Sequence, residues 1–227
     1  LPLYQIQGRQ LQLTDAGKSV LKAANQVFQT LDNMQIDIEN LQGIVTGSLS
    51  ISVVTTAQYF LPLLLAAFSK RYPQVEVTLE IGNRETIHRR LRDNLDDFYL
   101  FSQMPPDVDI IETPFLDNDL VVVAPERHEL VLQPHISLAR LSHYPFILRE
   151  SGSGTREALV ELFEQQGFEL KEKMTIASGE AIKQAVSAGL GLSVISKYSL
   201  DFGLMPGLKI LDVEHFPIRN QWRLVQR

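Results

Sequence analysis

The strongest constraint on the fold is the alternation, from Ser48 onward, of short apolar runs with segments of helical periodicity. Apolar residues at every second position, as in residues 49–53 and 75–81, predict strands with one buried face. The segments between such runs have apolar residues three and four positions apart, which predicts helices. Because strands that alternate with helices favour a mostly parallel sheet covered by helices, we expect an α/β fold.

The predicted elements are too many for one small sheet, so we expect two α/β subdomains. Subdomain I comprises residues 47–119 and 199–227, with both C-terminal strands returning to it, and subdomain II comprises residues 120–198. At about 100–200 residues per domain, a chain of 227 residues accommodates this organisation. The predicted strands are residues 49–53, 75–81, 98–101, 109–115, 120–124, 146–149, 174–177, 192–195, 208–213 and 221–225, and the predicted helices are residues 58–72, 84–94, 155–166 and 178–188.

The N-terminal residues follow a different pattern. Residues 1–13 alternate around Gly8 and Arg9 and predict a small β-hairpin, which is too short to be stable alone. Residues 15–42 predict one long helix, with Thr14 as its N-cap and Gly43 as its stop. The helix and the hinge that follows it make up residues 15–46.

The apolar residues of this long helix recur at alternating spacings of four and three, a heptad pattern. Such a narrow apolar stripe favours pairing with the same helix of a second chain. The alternative is an amphipathic helix that lies on its own domain. The stripe consists of Val20, Ala24, Val27, Leu31, Met34, Ile38 and Leu41.

Composition excludes several classes of protein. Hydrophobic residues make up 44% of the chain and charged residues 21%, as in a globular domain. The net charge of −6 makes the chain as a whole a poor binder of nucleic acid, because phosphates are bound by Lys and Arg. The absence of cysteine excludes disulfides, thiolate metal sites and a cysteine nucleophile. The longest apolar run, residues 60–68, contains Pro62 and is shorter than the ~20 residues that span a bilayer.

The N-terminus has no basic segment followed by an apolar one, so we expect no secretory signal. Because the first residue is Leu rather than Met, we expect the chain to be a fragment of a longer protein.

Three predicted strand-to-helix junctions are rich in hydroxyl groups and glycine: residues 53–60 with Thr55 and Thr56, residues 149–157 and residues 177–180. Free N–H groups at a helix N-terminus bind carboxylates or phosphates, and ligands of α/β sheets bind at the carboxyl ends of strands. Arg156 could add a bidentate contact to an anion. The simpler interpretation is ordinary N-capping by Ser and Thr. Three such junctions together favour a binding cleft.

Signatures of catalysis are weak. The glycine-rich loop is neither a Walker A nor a Rossmann motif, because no Gly-Lys-Ser/Thr follows and Glu157 stands where Gly or Ala belongs. The five histidines show no HExxH and no metal-ligand spacing, and no serine lies in a GxSxG motif. The adjacent carboxylates Asp96 and Asp97 would point to opposite faces of a strand. We therefore expect neither an enzyme nor a metal site.

In order along the chain, these segments resemble a LysR-type transcriptional regulator. Residues 1–17 are similar to the wing of the winged helix-turn-helix and the start of the linker helix, with Leu-Thr-Asp-Ala-Gly at 13–17 and Tyr4 in place of the usual Phe. Residues 47–83 resemble the first strand, helix and second strand of the effector-binding domain, and residues 178–196 resemble its late helix–strand unit. The resemblance covers essentially the whole chain.

This resemblance implies a two-subdomain fold like that of type II periplasmic binding proteins, preceded by a linker helix and the wing remnant at residues 1–14. It implies a cytoplasmic homodimer or homotetramer that binds operator DNA through an N-terminal domain mostly absent here. Arg9 of the wing would be a weak DNA contact. The family usually adds a C-terminal helix, whereas this chain stops at Arg227.

Residues 91–110 and 150–156 resemble a subgroup that controls Rubisco operons or inorganic-carbon uptake in autotrophs. This subgroup implies an anionic effector, such as 2-phosphoglycolate, ribulose bisphosphate, 2-oxoglutarate or a nicotinamide nucleotide, and no bound cofactor. Transfer of the family cleft to this chain implies effector contacts from Thr55, Thr56, Asn83, Ser102, Gln103, Ser151, Ser153, Thr155, Arg156 and Ser178.

Two alternatives belong to other classes. A solute-binding protein of a transporter shares the two-subdomain cleft but has no use for a dimerisation helix. A small-molecule enzyme would need a general acid or base, for which Glu150, Glu180 and Asp97 are weak candidates.

Overall fold

The computed structural model describes residues 1–7, 10–41, 45–201 and 206–227, with side chains described except at residues 7, 10, 29, 32–33 and 35–41. The chain divides into two compact units. One consists of Leu1–Ser48 with Phe68–Glu76, and the other of Leu49–Ala67 with Val77–Arg227.

The first unit contains the predicted hairpin and long helix. Strands β1 (Tyr4–Gln7) and β2 (Gln10–Leu13) pair in antiparallel orientation. Helix α1 (Asp15–Leu41) follows, and Thr14 caps it because its Oγ1 accepts a hydrogen bond of 3.0 Å from the Gly17 N–H. The predictions of the hairpin, of the helix and of its N-cap are confirmed.

The apolar stripe of α1 is not covered within the single chain. Val20, Val27, Leu31 and Met34 are 49–58% exposed, and Ala24 is half-buried. Half-exposed apolar side chains at heptad spacing are typical of a helix that pairs with a partner. The remaining predicted positions, which are the side chains of Ile38 and Leu41, the stop Gly43 and the wing residue Arg9, lie outside the described residues.

The other elements follow the predicted alternation. Among the described helices, none is both long and apolar enough to cross a membrane. The strands are β3 (Thr46–Val54), β4 (Gln74–Gly82), β5 (Phe98–Phe101), β6 (Ile111–Asp117), β7 (Leu120–Pro125), β8 (Phe146–Leu148), β9 (Glu172–Thr175), β10 (Ser193–Ser196), β11 (Leu208–Ile210) and β12 (Gln221–Gln226). The helices are α2 (Leu61–Arg71), α3 (Arg84–Asp93), α4 (Leu138–Leu141), α5 (Gly154–Gln165), α6 (Gly179–Ser187) and α7 (Tyr198–Asp201), with 3-10 helices at Thr55–Tyr59 and Glu129–Leu132.

Two lobes are built on separate sheets. The first lobe contains the five-stranded sheet of order β4-β3-β5-β12-β6, and the second contains the sheets β10-β7-β11 and β8-β9. Pairing is parallel for β3·β5 and β8·β9, but antiparallel where β12 joins β5 and β6 and where β7 joins β10 and β11. Strands β3, β5 and β6 therefore run in one direction, as the expected parallel arrangement requires, and β12 runs against them. In the sheet β10-β7-β11, β7 is the strand that runs against its neighbours.

One correction concerns the C-terminal strands. Strand β12 lies in the five-stranded sheet as expected, whereas β11 pairs with β7 in the second lobe. Leu211 and Val213, just after β11, are buried in the same core as Leu120 and Val122. The placement of residues 208–213 in subdomain I is therefore wrong, and the other boundaries between the subdomains stay a prediction.

Strand β7 explains how the second lobe is held together. Its residues Leu120–Ala124 are all buried, which is the pattern of a strand covered on both faces. One face packs with Leu159 and Phe163 of α5, and the other packs with Ile182 and Val186 of α6. Helices α5 and α6 are thereby fixed on opposite sides of one sheet, and the N-terminus of each lies beside a cavity.

The first lobe is organised in the same way. Leu100 and Trp222 pack with Phe60 on one side of the five-stranded sheet. Tyr99 and Phe101, the strand neighbours of Leu100, pack with Ile87 and Leu91 of α3 on the other side. The N-terminus of α3 is thereby fixed beside the end of β4.

Candidate functional site

Two adjoining cavities lie where strands of both lobes end, with about 380 and 330 Å³ of empty space, part of it open to solvent. They share Thr55, Thr56, Arg149 and Thr155. The first cavity is also lined by Val54, Asn83, Arg84, Ser102, Asn118, Ser153, Gly154, Asn220 and Trp222. The second is also lined by Gln58, Tyr59, Gly179, Val194, Ile195, Ser196 and Ser199.

The first junction is a 3-10 helix rather than the start of the predicted helix 58–72. Thr55 and Thr56 open this helix, and α2 begins at Leu61 with Pro62 in its first turn, where proline is tolerated. Thr55 Oγ1 donates a hydrogen bond of 3.1 Å to the Gly82 carbonyl. Val54 stands at the N-cap, so the two threonines line the cavities rather than capping a helix.

The second junction is the glycine-rich loop before α5. Ser153 occupies the N-cap of α5 without a capping bond from its side chain, and it is buried against the first cavity. Gly152 has φ of 79°, and a Cβ there would lie 2.8 Å from the Glu85 carboxylate. Glycine therefore permits both the turn and the close approach of this loop to α3, where the Glu85 N–H donates to the Gly152 carbonyl at 3.4 Å.

At the third junction, before α6, Ser178 acts as an ordinary helix N-cap. Ser178 is exposed, and its Oγ accepts a hydrogen bond of 3.3 Å from the Ala181 N–H of α6. Its neighbour Gly179 lines the second cavity, whereas Ser178 lines neither cavity.

Six of the ten predicted site residues line the cavities: Thr55, Thr56, Asn83, Ser102, Ser153 and Thr155. Asn83 also caps α3, with its Oδ1 accepting from the Thr86 N–H at 2.9 Å. Gln103, Ser151, Arg156 and Ser178 line neither cavity. Gln103 instead accepts a hydrogen bond from Arg84, and Ser151 lies in a separate outer groove.

Arg156, which the sequence predicts as an anion contact, lines neither of the two cavities. Its guanidinium pairs with Glu172, with Nη2 2.8 Å from Oε2, and it also donates to Thr175 Oγ1 and to the Arg149 carbonyl. The side chain therefore ties α5 to β9 and lies outside the two cavities.

Two arginines that the sequence did not single out line the first cavity instead. Arg149 is 7% exposed, forms two hydrogen bonds of 2.8 and 3.0 Å to Glu150, and donates to Thr55 Oγ1 at 3.4 Å. Arg84 begins α3 and forms an ion pair with Glu157. The sequence signal that could have identified both arginines is a basic residue placed directly after a strand or at the start of a helix.

A polar network closes the far end of the second cavity. The Tyr59 hydroxyl donates to Glu180, and burial with the adjacent carboxylate raises the pKa of Tyr59 above its usual value. Lys183 is buried, with its Nζ 2.8 Å from both Glu180 Oε1 and the Ser199 carbonyl. Tyr59 belongs to the first lobe and α6 to the second, so this network joins the lobes.

The family becomes clear from comparison with known proteins. Residues 42–227 match the model of the LysR substrate binding domain. The chain belongs to the LysR family of transcriptional regulators. Its fold is accordingly the type II periplasmic-binding-like fold that the sequence resemblance implied.

Relatives confirm the resemblance to regulators of autotrophic carbon metabolism. The chain is 45% identical to the HTH-type transcriptional activator CmpR of Synechocystis, over 99% of the chain and 74% of that protein. It is 41% identical to a RuBisCO operon transcriptional regulator of Allochromatium vinosum, over 100% of the chain and 76% of that protein. The CcmR regulatory domain of Synechocystis, solved in complex with 2-PG, is 41% identical, with a TM-score of 0.77 over 80% of this chain and 88% of that one.

The comparisons do not favour a solute-binding protein. The relatives are transcriptional regulators, not solute-binding proteins. Each candidate general acid is engaged by a partner: Glu150 by Arg149, Glu180 by Tyr59 and Lys183, and Asp97 by Ser50 at 2.7 Å. Within the described residues, no group of three or more His, Asp and Glu could hold a metal ion.

Proposed function

We propose that this LysR regulator senses a small anionic carbon metabolite of the 2-phosphoglycolate class and controls genes of CO2 fixation or carbon uptake. The main supporting observation is the first cavity, where two arginines and several hydroxyl groups converge. The related CcmR domain in complex with 2-PG supports the same ligand chemistry.

The cavity suits a phosphate or carboxylate for electrostatic and geometric reasons. A guanidinium binds either group with two parallel hydrogen bonds, and Arg149 is largely withdrawn from water, which strengthens such bonds. Thr56 and Ser153 offer hydroxyl donors from opposite sides, and Ser102 and Asn83 add polar groups at the edge of the first lobe. Trp222 forms an apolar wall suited to a short carbon skeleton.

Signal transfer would follow from the position of the cavity at the ends of both lobes. An effector that binds one relative orientation of the lobes more tightly shifts the population towards it. In a LysR oligomer, such a shift changes the spacing of DNA-binding domains that α1 joins to the effector domain. We infer that operator recognition is controlled in this way.

A thermal-shift measurement tests the effector assignment. At about 100 times its dissociation constant, 2-phosphoglycolate should stabilise the chain by roughly 2.7 kcal/mol, which corresponds to a rise in Tm of roughly 5–10 °C. The double variant Thr56→Val/Ser153→Ala should lose this rise, because both hydroxyl donors line the first cavity. Ribulose bisphosphate, 2-oxoglutarate and NADPH are compared in parallel.

The control is Thr78→Val/Ser142→Ala, which makes the same chemical changes at two positions that line neither cavity. It should keep the full shift. Equal shifts in the two double variants would contradict the site, and no shift with any anion would contradict the effector class.

Self-association through α1 is a second part of the proposal. Leu31→Glu introduces a charge into the exposed heptad stripe and should weaken the dimer roughly tenfold to a hundredfold, measured by analytical ultracentrifugation. Gln26→Glu makes the same charge change at an exposed helix position outside the stripe and should leave the dimer intact. An unchanged dimer in Leu31→Glu would show that α1 does not form the interface.

A further inference from the structure

The ion pair between Arg84 and Glu157 joins the two lobes at the edge of the first cavity. Arg84 lies on α3, which packs on the five-stranded sheet, and Glu157 lies on α5, which packs on β7. The Arg84 side chain is 14% exposed, and burial lowers its pKa from the usual value. Because the Arg84 guanidinium is largely shielded from water, its charge must be compensated by a carboxylate or another anion.

The charges around the cavity balance without any ligand. Arg84 is paired with Glu157, and Arg149 is paired with Glu150 through two hydrogen bonds. An effector with a negative charge therefore competes for each guanidinium with the carboxylate that already holds it. Its binding free energy is reduced by the loss of that pair.

Glu150 and Glu157 differ in how readily an anion could displace each of them from its arginine. Glu150 is 21% exposed and follows Arg149 directly in the chain, so the two side chains belong to the same loop. Glu157 is 42% exposed and also borders the outer groove beside Ser151, so water can solvate its carboxylate once Arg84 leaves. Glu157 is thus the partner that an anion displaces at lower cost.

We propose that Glu157 competes with the effector for Arg84 and so sets the affinity and the charge selectivity of the site. The inference rests on the proposed function, because it assumes an anion in the first cavity. A singly charged ligand satisfies Arg149 or Arg84 but not both. With one anionic group a phosphorylated acid replaces Glu157 beside Arg84, and with the other it contacts Arg149, which stays paired with Glu150.

The variant Glu157→Gln tests this competition with the side-chain size unchanged. Removing one negative charge beside Arg84 should tighten binding of 2-phosphoglycolate roughly five- to thirtyfold. Binding of glycolate, which has the same carbon skeleton without the phosphate, should change much less. Affinities are measured by titration calorimetry on the full chain and by fluorescence of Trp222, the single tryptophan, which lines the cavity.

The control variant is Glu161→Gln, which makes the same change one turn further along α5, at a residue that lines neither cavity. It should leave both affinities unchanged. A double variant with Arg84→Met completes the cycle, since Glu157→Gln should then have no effect. This second comparison also separates a local charge effect from a change in folding.

The outcomes separate the inference from the proposed function. If the wild-type chain binds 2-phosphoglycolate but Glu157→Gln binds it equally or more weakly, Glu157 is not a competitor and the inference is wrong. An equal gain for glycolate would overturn the charge selectivity. If the wild-type chain binds neither probe, the proposed function fails first.

Discussion

Replacing Arg149 with Met is expected to weaken binding of 2-phosphoglycolate by about a hundredfold or more. Arg149 is the buried cation shared by both cavities, and its guanidinium already holds Thr55 in position. The loss of two charge-assisted hydrogen bonds costs about 3 kcal/mol or more, and each 1.4 kcal/mol corresponds to a factor of ten in affinity. Glu150 would then remain as an uncompensated negative charge near the ligand.

Calorimetric titration of the variant with 2-phosphoglycolate measures this loss. Arg149→Lys should recover part of the affinity, because the charge returns without the bidentate geometry. Arg127→Met removes a positive charge from an exposed position and should bind like the wild-type chain. Binding by Arg149→Met within a few fold of the wild-type value would exclude Arg149 as the anion-binding cation.

The order of strands and helices could be predicted because the hydrophobic periodicity of each element is a local property of the sequence. Periodicity of two or of three to four residues reports which face of an element is buried. Residues 98–101 and 84–94, for example, were predicted within a residue of β5 and α3. Thr14 as a cap followed from residue type and from its position before an apolar stripe.

Sheet topology could not be predicted in the same way. The segment that contains β11 has a strand pattern whichever sheet it joins, and its partner β7 lies more than 80 residues earlier in the chain. The direction of β12 between β5 and β6 likewise depends on long-range packing, including Trp222 against Phe60. Propensity holds no information on such pairings.

In the candidate site, too, the residues with a local signal could be predicted and those placed by long-range packing could not. Hydroxyls at strand-to-helix junctions are a local signal, and six of the predicted residues do line the cavities. Arg149 and Arg84 are brought there by the meeting of two lobes, and 65 positions separate them in the chain. Arg156 was selected because it is adjacent to the loop, but Glu172 on β9 determines where its side chain lies. Electrostatic partners from distant segments thus decided which arginine lines the site.

The second large effect concerns stability rather than binding. Asp96 has a side chain only 2% exposed and receives two hydrogen bonds from Arg90, at 2.8 and 2.9 Å, and one from Ser52 at 2.6 Å. The network joins β3, α3 and the start of β5. Asp96→Asn removes the charge that Arg90 compensates, and it should lower the free energy of unfolding by about 2–4 kcal/mol. The expected fall in Tm is roughly 5–12 °C by calorimetry.

Asp107→Asn is the matched control, because Asp107 also receives two hydrogen bonds from an arginine of α3, in this case Arg92. That pair is about half exposed on both sides, so its loss should change Tm little. Equal falls in Tm for the two variants would contradict the assignment of the effect to the buried Asp96 network.

The pH dependence of stability shows whether Asp96→Asn destabilises the fold by removing the carboxylate charge or by changing the shape and hydrogen bonds of the side chain. Burial alone would raise the pKa of Asp96, but hydrogen bonds from Arg90 and Ser52 and the charge of Arg90 hold it below the usual value. A carboxyl group with a lowered pKa in the folded state stabilises the fold above its unfolded pKa of about 3.9, and this stabilisation is lost as the pH falls further. The difference in stability between wild type and Asp96→Asn should therefore be constant from pH 7 to pH 5 and shrink below pH 4. A difference that does not change with pH would mean that the side chain acts through its shape and hydrogen bonds rather than its charge.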